Sequence, residues 1–365
     1  MTVDLRPPAP VARPSKALII GLGVSSALAA LVLTIMLLSG GPAGFGLSFA
    51  LALVPLPVLL AAILGLDRLE PEPRLHLAFA FAWGAGVAIV FGIVLTLAGQ
   101  AVVSGFGYGD KVAEDVGTVL LAPVIEEGLK GCALLLLLRR RREIDGLTDG
   151  IIYAGMTGLG FAVIENVGYY LGSFGEGGLV GAMETFVLRG LISPLGHPVY
   201  TSLIGIGAAY AALHRRYWAI PLGYLGAVFL HFLWNGSATS ASLGLFALAY
   251  VVIMAVIVVL VLVTVRERRA LVARMATVLP AYAQTGLITP QDITMLSTLR
   301  ARRHARRWSR KSGYGSAMAD YQQAATELTM LHLRGERERM DLTEFAGQRD
   351  ALLTHMAAAR RWNPA

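Results

Sequence analysis

The chain has 365 residues, of which 55% are apolar and only 15% are charged, and its mean hydropathy is +0.62. Soluble domains carry about a quarter charged residues, so this composition indicates a membrane protein and excludes a chain that is mostly disordered. The only cysteine, Cys132, excludes a disulfide scaffold within the chain. Residues 266–365 contain 17 basic and nine acidic residues, so the net charge of +7 belongs to this C-terminal tail.

Eight apolar segments are long enough to span a bilayer, for which a helix needs roughly 20 residues. The first segment is too long for the core of a cleaved signal peptide and is predicted to be retained as a span. The sequence therefore predicts an all-α, polytopic membrane protein with an N-terminal segment (1–16), a membrane domain (17–265) and a basic helical tail (266–365). The predicted spans are Ala17–Leu38, Phe45–Leu66, Leu75–Val102, Val112–Leu138, Leu147–Leu171, Thr185–Leu213, Trp218–Ser237 and Ser242–Val265.

Lysine and arginine residues in short loops predict the orientation of the spans, because such residues concentrate on the cytoplasmic side. Four arginines at 139–142 follow the fourth predicted span, and Arg215 and Arg216 follow the sixth. With eight spans, these and the other basic loops all lie on one side. This pattern predicts a multi-pass protein of the cytoplasmic membrane with both termini in the cytoplasm.

The tail is predicted to be helical, with Thr289 and Pro290 forming a helix start and Gly286 a preceding stop. The basic run Arg300–Lys311 contains Trp308 and is predicted to bind anionic lipid, where each basic residue contributes ~1 kcal/mol. A nucleic-acid partner is not expected, because no binding motif accompanies the charge.

Ionisable side chains occur in the four central spans, within residues 112–237, although each costs ~2.5–3.5 kcal/mol in the bilayer centre. Measured from the predicted cytoplasmic helix ends, Glu126, His197, His231 and Glu165 lie at similar depths of roughly 18 to 27 Å. This agreement predicts one buried polar site assembled from four helices. Its members are Glu126, Glu127 and Lys130 in the fourth span, Glu165 in the fifth, Arg189 and His197 in the sixth, and His231 and Asn235 in the seventh.

Helical spacing relates several of these residues. Lys130 shares a face with both Glu126 (i, i+4) and Glu127 (i, i+3), so one carboxylate can be paired while the other acts as a general base. A purely structural buried ion pair is the alternative. His197 precedes Pro198, which is predicted to break the helix beside a cavity.

These residues also form recognisable motifs. The segment Ala122–Lys130 resembles the E-E-x-x-K motif of the PrsW family of intramembrane proteases, and Phe161–Glu165 resembles its F-x-x-x-E segment. The Arg189–His197 and His231–Asn235 segments are similar to its later histidine motifs. The resemblance covers roughly residues 112–237, with four motifs in order on four consecutive predicted spans.

The resemblance implies a helical intramembrane peptidase, related to the CAAX-type prenyl-protease superfamily and generally metal-dependent. It implies a membrane-protein substrate, and some members of the family cleave anti-sigma factors. In this interpretation His197 and His231 bind a divalent metal, with zinc the expected ion, and Glu126 is the general base. The third ligand is Glu127 or Glu165, and Lys130 and Arg189 support the site by charge.

A metal-free mechanism stays open, because the H-E-x-x-H zinc motif is absent and this donor set does not define a metal. In that version Glu126 activates water directly, while His231 and Asn235 stabilise the oxyanion. Two other classes of function also fit the buried charges. One is a proton- or ion-coupled transporter, although no inverted repeat is evident, and the other is a catalytically inactive membrane scaffold.

Overall fold

The computed structural model describes residues 15–66, 69, 71–138, 145–337 and 340–360. Within these ranges all regular structure is helical and no strand occurs, which confirms the all-α prediction. The chain divides into two compact units. One unit contains the described residues up to 262 except 69 and 71, and the other contains residues 69, 71 and those from 263 onward. The arginine cluster 139–142 lies outside the described residues.

The first unit is built from nine α-helices and the N-terminal part of a tenth, several of them joined by single π-helical turns. The helices are α1 (Lys16–Leu53), α2 (Leu56–Leu66), α3 (Arg74–Trp83), α4 (Ile89–Val103), α5 (Asp110–Val116), α6 (Ala122–Leu138), α7 (Leu147–Phe186), α8 (Gly196–His214), α9 (Ala219–Thr239) and α10 (Leu243–Val278).

Four helical stretches of the described residues are apolar and long enough to cross a membrane: Lys16–Leu66, Arg74–Tyr108, Leu147–His214 and Leu243–Gln284. The first contains 51 residues and the third 68, more than twice the length that one crossing requires. The number of eight spans stays a prediction, since length and composition alone do not fix the number of crossings within these two stretches.

Two glycines interrupt the helices between predicted spans. Gly41 in α1 (φ +67°, ψ 167°) and Gly178 in α7 (φ +61°, ψ −147°) have non-helical backbone conformations, and each lies between two predicted spans. Glycine adopts such conformations without a steric penalty, so the chain on either side of each glycine forms a separate helical segment, in agreement with the predicted boundaries. The break predicted at Pro198 lies earlier, at residues 193–195, because proline is tolerated in the first turn of the helix that begins at Gly196.

Close helix crossings hold α7 at the centre of the unit. A Cβ atom on Gly160 would lie 2.0 Å from the carbonyl oxygen of Phe81, and one on Gly84 would lie 1.9 Å from that of Thr157. On the other side, a Cβ on Gly158 would lie 2.6 Å from the carbonyl oxygen of His197. Small residues allow such backbone contact between membrane helices, and here they bring polar residues of α7 and α8 together.

The second unit contains the end of α10, a 3₁₀ turn and four helices around an apolar core that includes Met275, Leu296 and Leu328. The predicted helix start is confirmed, since the Thr289 hydroxyl accepts a hydrogen bond from the backbone N–H of Asp292. The four helices are α11 (Pro290–Leu296), α12 (Leu299–Lys311), α13 (Gly315–Arg337) and α14 (Leu342–Ala359).

Candidate active site

Helix α6 supplies three charged residues: two adjacent glutamates and, about one turn later, a lysine. The Lys130 ammonium lies 2.9 Å from Glu127 Oε1 and 3.4 Å from Glu126 Oε2, as the sequence spacing predicts. It also lies 3.5 Å from the centroid of the Phe161 ring, which provides a cation–π contact. Lys130 and Glu127 are fully buried, whereas the Glu126 side chain is 12% exposed. The two carboxylates therefore have different surroundings.

Glu127 is a fully bonded carboxylate. Besides Lys130, its Oε2 accepts a hydrogen bond of 2.8 Å from the Thr201 hydroxyl of α8, and its Oε1 lies 3.2 Å from Nδ1 of His231 on α9. A buried charge is stable only when it is paired and hydrogen-bonded. These contacts join three helices around one carboxylate.

His197 has its tautomer defined by its neighbours. Its Nδ1 lies 3.0 Å from the Lys130 ammonium, which can only donate, so Nδ1 accepts. Nε2 therefore carries the hydrogen and donates it to Glu165 Oε2 at 2.8 Å. Glu165 is in turn paired with Arg189, whose Nε donates to the Asn166 side chain at 2.8 Å. The result is a continuous chain of polar contacts from α6 through α8 to α7.

Three side chains are close enough to hold a metal ion together: Glu126, His197 and His231 offer ligand atoms that all lie within 4.8 Å of one another. Glu127 and Glu165 do not belong to this group. Two imidazole nitrogens and one carboxylate oxygen form a donor set that zinc takes in catalytic sites. These residues fit a divalent metal that would take the place of the Lys130 ammonium at Nδ1 of His197, since Nε2 of that ring donates to Glu165.

A cavity of about 580 Å³ opens beside Glu126 between α1, α4, α6 and α7. Its size lies within the range of ligand-binding pockets. Among the described residues, Glu126 alone both lines this cavity and belongs to the three-residue group. Asn235 lines the cavity as well, and its amide donates to the carbonyl oxygen of Thr118 at 2.9 Å.

The structure thus brings together the residues that the sequence nominated, and it adds Thr201, which the sequence analysis missed. Thr201 lies four residues after His197 and therefore shares a helix face with it. This spacing could have predicted Thr201 as a residue of the site. The contact between Phe161 and Lys130 had no such signal, because it joins two different helices.

Comparisons with known proteins identify the family of the chain. The sequence profile described as PrsW family intramembrane metalloprotease matches residues 72–261, slightly more than half of the chain. No solved structure matches the chain.

Two relatives are each named Protease PrsW. The one from Geobacillus kaustophilus is 28% identical over 148 residues, which cover 40% of this chain and 60% of the relative. The one from Oceanobacillus iheyensis is 27% identical over 137 residues, which cover 37% of this chain and 59% of the relative. The chain thus spans about 60% of the length of these curated relatives. The profile match confirms the resemblance seen in the motifs: this chain belongs to the PrsW family of intramembrane metalloproteases.

Proposed function

We propose that this protein hydrolyses a peptide bond of a membrane-protein substrate at the site formed by α6, α7, α8 and α9. One observation carries the proposal: Glu126 connects a cavity of substrate size with a cluster of two imidazoles. Hydrolysis inside a bilayer requires a polar cavity for water and a base, and this arrangement supplies both.

Glu126 is the proposed general base. Its Oε2 faces the Lys130 ammonium at 3.4 Å and His231 Nε2 at 3.9 Å, while its Oε1 has no hydrogen-bond partner among the described residues. In the proposed step Oε1 accepts a proton from a water molecule in the cavity, and the water oxygen forms a bond to the carbonyl carbon. Glu126 then returns the proton to the amide nitrogen as the C–N bond of the tetrahedral intermediate breaks, which releases a carboxylic acid and an amine.

The other polar residues orient this centre. His197 and His231, together with Oε2 of Glu126, would hold the divalent metal, which supplies a Lewis acid and a water of lowered pKa when it is bound, and Oε1 of Glu126 would stay free to act as the base. Glu165 accepts the Nε2–H of His197 and so fixes the ring orientation, the role that carboxylates commonly have behind metal-binding histidines. Lys130 balances the charge of the two adjacent glutamates.

The experiment that tests this function is cleavage of single-pass membrane reporters in proteoliposomes, among them anti-sigma factors with one span. We expect Glu126→Gln to lower the rate by at least ~100-fold, because it removes the general base. Glu114→Gln, a matched change on an exposed carboxylate of α5, leaves the rate unchanged. A chelator abolishes wild-type cleavage and added zinc restores it. Unchanged cleavage by Glu126→Gln would contradict the proposed role.

We also propose that α12 binds anionic lipid. Five of its cations are exposed and form no ion pair with any described carboxylate: Arg300, Arg303, Arg307, Arg310 and Lys311. Trp308, on the same helix, is 50% exposed. An exposed basic helix with an aromatic residue is typical of proteins that bind a negatively charged membrane surface.

A further inference from the structure

One stripe of α4 lines the cavity beside Glu126. Gly92, Thr96 and Gln100 all face this cavity, and their spacing of four residues places them on one side of the helix. The stripe begins next to the proposed base, since a Cβ on Gly92 would lie 3.5 Å from Cγ of Glu126. It therefore extends away from the reacting centre along one wall of the cavity.

The polar groups of this stripe have no partners within the described structure. The Thr96 hydroxyl is buried and unpaired, and the Gln100 amide forms no hydrogen bond with the described residues. Other helical threonines of the same unit behave differently: Thr34 and Thr157 donate to the carbonyl oxygen four residues earlier, at 2.8 and 2.9 Å. A buried polar group without a partner is unfavourable, which at Thr96 suggests that a ligand supplies the missing partner, while the partly exposed Gln100 amide is free to donate to one.

The spacing of the stripe matches an extended peptide. Four residues of helix rise about 6 Å, and two residues of extended chain span about 6.6 to 6.8 Å. Backbone groups on one side of an extended chain recur at that two-residue interval, so Gln100 can meet one of them, and Thr96 can meet another once its buried hydroxyl turns toward the cavity about χ1. An unwound peptide inside a bilayer needs such partners, because lipid offers none.

We propose that the Gly92–Thr96–Gln100 stripe binds the backbone of an unwound substrate segment, at positions about two and four residues from the scissile bond. This inference deepens the proposed proteolytic function and depends on it for the identity of the substrate. Apolar residues beside the stripe, among them Met36, Ile93 and Leu97, complete the cavity wall and accept the substrate side chains. The preferred substrate is therefore a membrane segment that unwinds readily, and its side-chain sequence matters less than its exposed backbone.

The position of Gln100 depends on Gly117. A Cβ on Gly117 would lie 2.1 Å from the Gln100 amide nitrogen, so the side chain lies directly against this glycine. Gly117→Ala therefore displaces the amide without changing its chemistry, and it provides a second way to test the stripe.

The test uses full-length protein and a cleaved peptide in which single backbone amides are replaced by esters. We expect Thr96→Val, Gln100→Leu and Gly117→Ala each to lower kcat/KM about three- to tenfold, the range of one lost hydrogen bond. Thr34→Val, which removes a hydroxyl already bonded within its own helix, leaves kcat/KM unchanged. When the contacted backbone amide of the peptide is replaced by an ester, Thr96→Val or Gln100→Leu is expected to cause no further loss of kcat/KM. Equal losses on the amide and ester peptides would overturn the inference.

A second readout separates this inference from the proposed function. A photoreactive benzophenone residue at position 97 in the Glu126→Gln protein is expected to crosslink to the peptide within four residues of the tested bond. Crosslinking without any cleavage by the wild type would support the stripe and refute the proteolytic function. Cleavage by the wild type without crosslinking or effects of the variants would refute the stripe alone.

Discussion

Arg189 is the outermost member of the buried polar chain. It pairs with Glu165 and donates to Asn166, and Glu165 in turn accepts the hydrogen of His197 Nε2. Its guanidinium therefore fixes a histidine that it does not touch. Lysine cannot fully replace it, because a single ammonium does not offer the same two separate donors in a planar fork.

We predict that Arg189→Met weakens zinc binding by about 10- to 100-fold, the usual effect of removing support from a metal-binding histidine. Calorimetric titration of the detergent-solubilised protein measures this change. Arg189→Lys is expected to restore only part of the affinity, while Arg215→Met, at an exposed position after α8, leaves it unchanged. Wild-type affinity in Arg189→Met would show that Glu165 positions His197 without the arginine.

At the scale of elements, the glycines at which α7 crosses neighbouring helices determine whether the site can assemble. Gly160 lies next to Phe161, whose ring contacts Lys130, and five residues before Glu165. A side chain at Gly160 would separate α3 from α7, because the atom that it meets belongs to the backbone of Phe81.

We predict that Gly160→Ala lowers the free energy of unfolding by about 1–3 kcal/mol, as overpacking does, and reduces cleavage. Gly175→Ala is the matched control in the same helix, because nothing lies within 4 Å of its added Cβ. That control is expected to stabilise the protein by up to ~1 kcal/mol, the difference in helix propensity between glycine and alanine. Thermal unfolding in detergent compares the two variants, and equal midpoints would refute the crossing argument.

The basic face of α12 gives a second prediction at this scale. A fluorophore on His304→Cys, in a Cys132→Ser background, should shift to the blue in nanodiscs of phosphatidylglycerol and not in phosphatidylcholine. Replacing Arg303, Arg307 and Arg310 with glutamine should abolish the shift, and high salt should weaken it because it screens exposed charges. A shift that is equal in neutral lipid would refute electrostatic binding. A shift that appears only when nucleic acid is added would favour that partner instead.

At the scale of the whole molecule, the open question is how many times the chain crosses the bilayer. The predicted eight spans place the N-terminus and the tail on the same side. We predict that reporters fused to either terminus are both cytoplasmic, and that a cysteine introduced at Gly175 in the Cys132→Ser background reacts with an impermeant reagent from outside. Opposite locations of the two termini would require an odd number of spans.

The sequence by itself determined the class of molecule. Composition and apolar segment length indicated membrane helices, because burial in lipid demands a long apolar surface and internal backbone hydrogen bonds. Ionisable residues at such depth identified the polar site, and their order along the chain indicated the family that the profile match confirmed. The helix start at Thr289 was equally predictable, because capping is a local interaction.

Only the tertiary structure decided which of these residues meet and how. Periodicity predicted that Lys130 contacts both glutamates, but not that Thr201 and His231 bind Glu127 or that Glu126 groups with His197 and His231. Those contacts depend on where α6, α7, α8 and α9 cross, and the backbone approach at glycines such as Gly158 sets that position. Sequence spacing along one helix shows only which of its residues share a face. The distance between faces follows from packing, which no single segment of sequence contains.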